Sequence, residues 1–107
     1  MIEAIEITTF QLVRNKTLSD FVAANADVDA WLLQQKGFRS RRIAQGTDGV
    51  VVDMLIWTTV DAAHHAARKL MSELRNSPVH AVIDQGTVSW QVSTVGHTLG
   101  VVGSCDP

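Results

Sequence analysis

Val50-Val51-Val52-Asp53-Met54-Leu55-Ile56-Trp57 is the most apolar stretch of the chain, and it is apolar on both of the faces a strand presents. Successive side chains of a strand point to opposite sides, so Val50, Val52, Met54 and Ile56 line one face and Val51, Leu55 and Trp57 the other. A strand patterned this way belongs at the centre of a sheet that is covered on both sides. Gly46-Thr-Asp-Gly49 just before it has the composition of a hairpin turn, which makes Phe38 to Gln45 its antiparallel neighbour.

Upstream, residues 2 to 13 mix alternation with β-branched side chains and read as a first strand, closed by the polar turn Arg14-Asn15-Lys16. Thr17, with Asp20 three residues on, is a helix start. Leu18, Phe21, Ala24, Val28, Trp31 and Leu32 then recur at helical spacing, predicting one helix through Gln35 that ends at Gly37. Downstream, Thr58 or Thr59 caps a second helix in which Val60, Ala63, His64, Ala67, Leu70, Met71 and Leu74 share a face; it ends near Asn76, before Pro78. Val79 to Ile83 has room for one short turn. Thr87 to Ser93 alternates strictly, with Val88, Trp90 and Val92 on one side, and gives a fourth strand.

The order β-α-β-β-α-β with right-handed crossovers predicts an α+β, ferredoxin-like antiparallel sheet with two helices on one face. The helix-free face is still apolar along the third strand, and a second copy of the same sheet is the simplest cover for it. Residues 1–93 form the domain. Residues 94–107 are a tail, either frayed or an arm that pairs with a partner subunit.

The chain has 107 residues, 46% of them hydrophobic, a formal charge of −2 and one cysteine. That is one domain, burying roughly two-thirds of its unfolded surface. The acidic balance argues against nucleic acid and against electrostatic anchoring to a membrane. Cys105 alone forms neither an intrachain disulfide nor a multi-cysteine metal site. Acids stand in the first residues where a signal peptide carries bases, so a soluble, cytoplasmic protein is expected. HExxH, Walker, GxGxxG, CxxC and GxSxG motifs are missing, and neither metal nor cofactor is expected.

His64 is the candidate catalytic base, since its expected face meets the sheet and an imidazole titrates near working pH; the plain alternative is a core histidine bonded to a strand or to Asp53. Asn25, between Phe21 and Val28, either holds a ligand carbonyl or faces water. Asp53, amid Val51, Leu55 and Trp57, needs a partner if buried, and Arg39, Arg41 or Arg42 across the hairpin can supply one. Arg39 and Arg41 share one strand face and Arg42 takes the other. His80 and Asp84 form a dyad only if their segment is helical. Trp31, Trp57 and Trp90 read as core, with one of them available to edge a cavity. The candidate ligand-binding set is Phe21, Asn25, Val28, Asp53, Trp57, His64 and His80.

Gly37-Phe38 opening the second strand, Arg41 or Arg42 within it, Leu55-Ile-Trp-Thr-Thr59, and Val60-Asp-Ala-Ala63 followed by Ala66 and Ala67 together resemble the dimeric α+β barrel superfamily, in particular the small proteins similar to antibiotic biosynthesis monooxygenases. The likeness covers residues 2–93. It implies a homodimer with facing sheets and, in each subunit, a small-molecule cavity between sheet and helices. Haem degraders of the superfamily use a strand-1 Asn and a helix-2 Trp with a His after it; here strand 1 has Thr8 and Thr9, helix 2 has no Trp, and only His80 lies nearby. The polycyclic monooxygenases use Asn, Trp and Tyr, and this chain has no Tyr. The expected function is therefore binding of an apolar or aromatic molecule, with cofactor-independent oxygenation as the enzymatic form. Its alternatives are a non-catalytic binder of a fatty-acid-like ligand and a dimerisation or regulatory domain. RNA binding is disfavoured, because Val50 to Ile56 offers no stacking aromatics.

Overall fold

The alternating segments resolve into one antiparallel sheet. In the computed structural model, which describes residues 2–100, β1 (Ala4–Phe10), β2 (Phe38–Gln45), β3 (Val51–Trp57) and β4 (Ser89–Thr94) lie in the order β2-β3-β1-β4. The apolar β3 is internal, as its two-sided pattern requires. Register fixes what each face carries. Arg41, Leu55, Glu6 and Val92 form one cross-strand row and Ile43, Asp53, Thr8 and Trp90 the next. These rows lie on the side that the helices cover, where Val51, Asp53, Leu55 and Trp57 are buried. Ile5, Ile7, Ala44, Val52, Met54 and Ile56 lie on the helix-free side.

The expected first helix is two. α1 (Leu18–Ala24) and α2 (Ala26–Leu32) meet at Asn25, whose backbone leaves helical geometry at φ −93°, ψ 7°. The apolar spacing passes over this break without a sign of it, because Phe21, Val28 and Leu32 are buried on either side. Thr17 caps α1 through a reciprocal box: its N–H donates to Asp20 Oδ2 at 2.8 Å, and its hydroxyl accepts from the Asp20 N–H at 3.2 Å. α3 (Val60–Glu73) is capped by Thr59. Ala63 and Ala66 are the fully buried residues of α3, and Val60, Ala62 and Leu70 pack against the core beside them. The inner face keeps Val60, Ala63, Ala67, Leu70 and Leu74 of the expected set and takes in Ala62 and Ala66 as well. His64 and Met71 fall outside it.

Two local features correct the strand reading. A bulge at Arg39 shifts the register between Phe38 and Ser40, so Arg39 and Arg41 do not share a face, and Arg39 reaches Glu3 at 3.5 Å instead. Gly37, at φ +86°, sits where a Cβ would come within 2.7 Å of both Ala62 Cβ and Thr58 Oγ1. That contact seats the entry to β2 against the start of α3. Between α3 and β4 the chain makes two single turns, Pro78–Ala81 and Gln85–Thr87. They are laced to the end of β1 by Val13 N–H to Val82 O and Asp84 N–H to Gln11 O, each 2.9 Å. After β4 the Val95 N–H donates to Glu3 O at 2.9 Å. No helix among the described residues is long and apolar enough to cross a membrane. Residues 101–107 of the expected tail lie outside the described residues.

Candidate functional site

The space beneath the helix break is occupied by a guanidinium. Arg41 projects from β2 under α1 and α2, where its Nε and Nη2 donate to the two carboxylate oxygens of Asp53 at 3.0 and 2.6 Å. Nη2 also donates to Asn25 Oδ1 at 2.8 Å, and Nη1 to Asp29 Oδ1 at 2.9 Å. Asn25 completes the set by donating from Nδ2 to Phe21 O, one turn back, at 2.8 Å. Asn25 is 1% exposed and Asp53 8%. Burial alone would lower the Arg41 pKa, but the hydrogen bonds and charges of Asp53 and then Asp29 outweigh it and raise it above the ordinary arginine value. The side chain is a fixed cation that ties two helices to two strands through planar, forked hydrogen bonds.

In the same cross-strand row as Arg41, two strands over, stands a second polar group. Glu6 accepts from Trp57 Nε1 on Oε1 at 2.8 Å and from Trp90 Nε1 on Oε2 at 2.7 Å. An indole N–H only donates, so one carboxylate serves both rings with charge-assisted bonds. Trp57 is fully buried against Phe38, edge to face at 5.5 Å. Trp90 is 47% exposed. The His64 imidazole lies against it, with ring centroids 5.9 Å apart and planes 41° apart. The result is a pinned, half-open aromatic surface with an imidazole at its margin.

The expected residues divide accordingly. Phe21, Asn25, Val28, Asp53 and Trp57 do cluster between sheet and helices, but they pack against one another and against Arg41. His64 is exposed and faces Trp90, correcting its expected place on the sheet-facing side of the second helix. His80 stands apart: its Nε2 bonds Leu74 O at 2.8 Å. A carbonyl only accepts, so Nε2 carries the proton and His80 staples the turn after α3. Asp84 turns instead to the Gly86 N–H, so the two residues make no dyad. Glu6 escaped the sequence reading. Its signal was a charged residue on the β1 face otherwise set by Ala4, Thr8 and Phe10. Trp90, read as core, is the aromatic that edges open space.

Two open depressions lie away from the Arg41 network. One, of about 660 Å³, runs over the outer face of α3 beside Lys36, Thr58, His64, His65 and Arg68. The other, of about 310 Å³, is on the helix-free side of the sheet. Among the described residues no group of three or more His, Cys, Asp or Glu side chains is placed to hold a metal ion.

No protein-family model matches the chain, and no curated protein matches it in sequence. Solved structures do match in fold. SnoaB, a cofactor-independent oxygenase from Streptomyces nogalater, is 20% identical, with a TM-score of 0.72 over 92% of this chain and 98% of that one. A monooxygenase from the gene ActVA-Orf6 of Streptomyces coelicolor, in complex with the ligand nanaomycin D, is 22% identical, with a TM-score of 0.71 over 94% of each chain. Rv0793 from Mycobacterium tuberculosis is 15% identical, with a TM-score of 0.62 over 97% and 99%. At these identities the likeness shows the fold: this chain shares the ferredoxin-like α+β fold of these solved structures.

Proposed function

We propose that the chain binds a planar, partly aromatic small molecule against Trp90 and oxygenates it without a cofactor, with His64 as the base. The Trp90 ring supports this reading above all, since it is held by Glu6, half open, and met by an imidazole. The fold shared with a cofactor-independent oxygenase points the same way. His64 would take a proton from an activated methylene or phenol, and the resulting anion is electron-rich enough to react with O2 directly. The methylene becomes a carbonyl that keeps one oxygen atom, and the other leaves as water. Trp57, bonded to the same Glu6, backs this surface from within the core. The helix-free faces of two copies pack together in a homodimer.

Oxygen uptake with an anthrone, whose methylene is acidified by its flanking rings, tests the chemistry, and quenching of tryptophan fluorescence by nanaomycin D tests the surface. Uptake equimolar with substrate is expected, with kcat lowered about 100-fold in His64→Gln, the scale of a lost general base. Unchanged turnover in that variant would remove His64 as the base. A second reading, a domain whose task is dimerisation, is favoured by the filled space between helices and sheet. Neither uptake nor quenching, together with a stable dimer, would select it.

A further inference from the structure

His64 belongs to two surfaces at once. Its ring lies against Trp90, with centroids 5.9 Å apart, and it also lines the open depression of about 660 Å³ along the outer face of α3. That depression is on the helix side of the sheet, so packing of the helix-free faces in a dimer leaves it open. Residues four apart on a helix are neighbours, about 6 Å apart along its axis, so Arg68 is set beside His64 and shares the depression with it. Arg68 is exposed. Among the described residues no carboxylate lies within ion-pair reach of it or of Lys36, the other charged base in the depression. Asp61 is the one acid along its lining. A net positive depression with an unengaged guanidinium thus adjoins the aromatic surface, on a chain whose formal charge is −2.

We infer that Arg68 binds the carboxylate of the molecule whose rings lie on Trp90, so that the ligand is a planar aromatic acid with His64 between its two ends. The inference rests on the Trp90 reading above and names the class of molecule that surface takes. A guanidinium meets a carboxylate with two parallel hydrogen bonds, a fork that the compact ammonium of Lys36 does not offer. Trp90 contributes only its face, because its N–H is given to Glu6. Stacking on that face does not tell an acid from a neutral analogue with the same rings. Arg68 supplies the distinction, and the positive depression around it draws anions toward the site.

Anthraquinone-2-carboxylate and its uncharged carboxamide are the probes, each titrated at low ionic strength against tryptophan fluorescence. They have the same rings and differ in charge. The carboxylate is expected to bind roughly tenfold more tightly, the scale of one hydrogen bond to a charged group. In Arg68→Gln that advantage disappears, while the carboxamide binds variant and parent alike. Arg68→Lys keeps part of the advantage, and added salt reduces it in the parent protein. Arg68 is exposed, so both variants fold, which circular dichroism verifies. Equal affinities for the two probes, a carboxylate preference that survives Arg68→Gln, or equal loss of both probes in that variant would each overturn the inference and leave Trp90 as the ring surface. Quenching by neither probe would overturn the Trp90 reading and this inference with it.

Discussion

A single buried carboxylate decides how the Arg41 network behaves. The Arg41 and Asp53 side chains are each 11% exposed, whereas Asp29 is 56% exposed, so the three groups differ in what their loss does. Removing one partner of a buried pair strands the other charge, at a cost of about 3–5 kcal/mol. Arg41→Ala is therefore expected to lower unfolding free energy on that scale in urea titrations, and Arg41→Met with Asp53→Leu to restore most of it. Asp29→Ala costs less than about 1 kcal/mol, as exposed pairs do. An equal loss in Asp29→Ala and Arg41→Ala would mean that burial does not set the cost. Asp20 is governed by acid instead. The Thr17 backbone N–H, and next the Thr17 hydroxyl, hold its carboxyl below the ordinary aspartate value. A carboxylate with a depressed folded pKa adds stability that is complete above its unfolded pKa and fades as pH falls through the folded one. Asp20→Asn should accordingly flatten the acid limb of a plot of melting temperature against pH, and parallel curves would deny Asp20 that role.

At the scale of the element, what was legible in the sequence was what local chemistry dictates. The bounds of β2, the Thr17 and Thr59 caps and the end of α3 before Pro78 follow from turn residues, cap residues and a missing donor. The break at Asn25 was not legible, because the residue that its side chain meets there is Arg41, sixteen residues away, and its bond to Phe21 O gives no sign in the apolar spacing. Asn25→Ala removes both bonds and leaves an Arg41 N–H without its acceptor. A loss of about 1–3 kcal/mol is expected, with faster amide exchange over Asn25 to Asp29. Unchanged exchange there would show that the break holds itself. The candidate site was half legible for the same reason: Asn25, Asp53 and Trp57 announced themselves as polar or aromatic residues among apolar ones. Glu6 meets Trp57 and Trp90 across 51 and 84 residues, and no spacing rule reaches that far. His64 was misplaced because the inner face of α3 runs through Ala62, Ala63 and Ala66, and small residues give the spacing argument little to fix that face with. Gly37 lies against Ala62 of that face. Gly37→Ala adds both a strained positive φ and a 2.7 Å collision with Ala62, so a drop in melting temperature larger than that of Gly96→Ala, where a Cβ meets nothing within 4 Å, is the expected result of a thermal scan.

The whole molecule is two-sided in a way that one copy does not resolve. Its helix-free face divides into two halves. Ile5, Ser40, Arg42, Met54 and Ile56 lie beneath the returning chain at 95–99, whereas Ala44 and Val52 are exposed and Ile7 and Thr9 half-buried beside them. Val52 is 36% exposed at the centre of the bare half, paired with Ala44 on one side and Thr9 on the other. An apolar strand face of this kind is covered most simply by its own symmetry mate, since a two-fold axis brings the same patch against itself. A lysine introduced there would meet its own copy across the axis, so Val52→Lys should convert a dimer into monomers in sedimentation equilibrium and leave the fold intact by circular dichroism. The helices lie on the other side of the sheet, and Trp90 with them, so nanaomycin D quenching should persist in the monomer. A variant that stays dimeric would move the interface to another surface. One that loses quenching along with its dimer would show that the second copy helps build the Trp90 surface, which the single chain does not suggest.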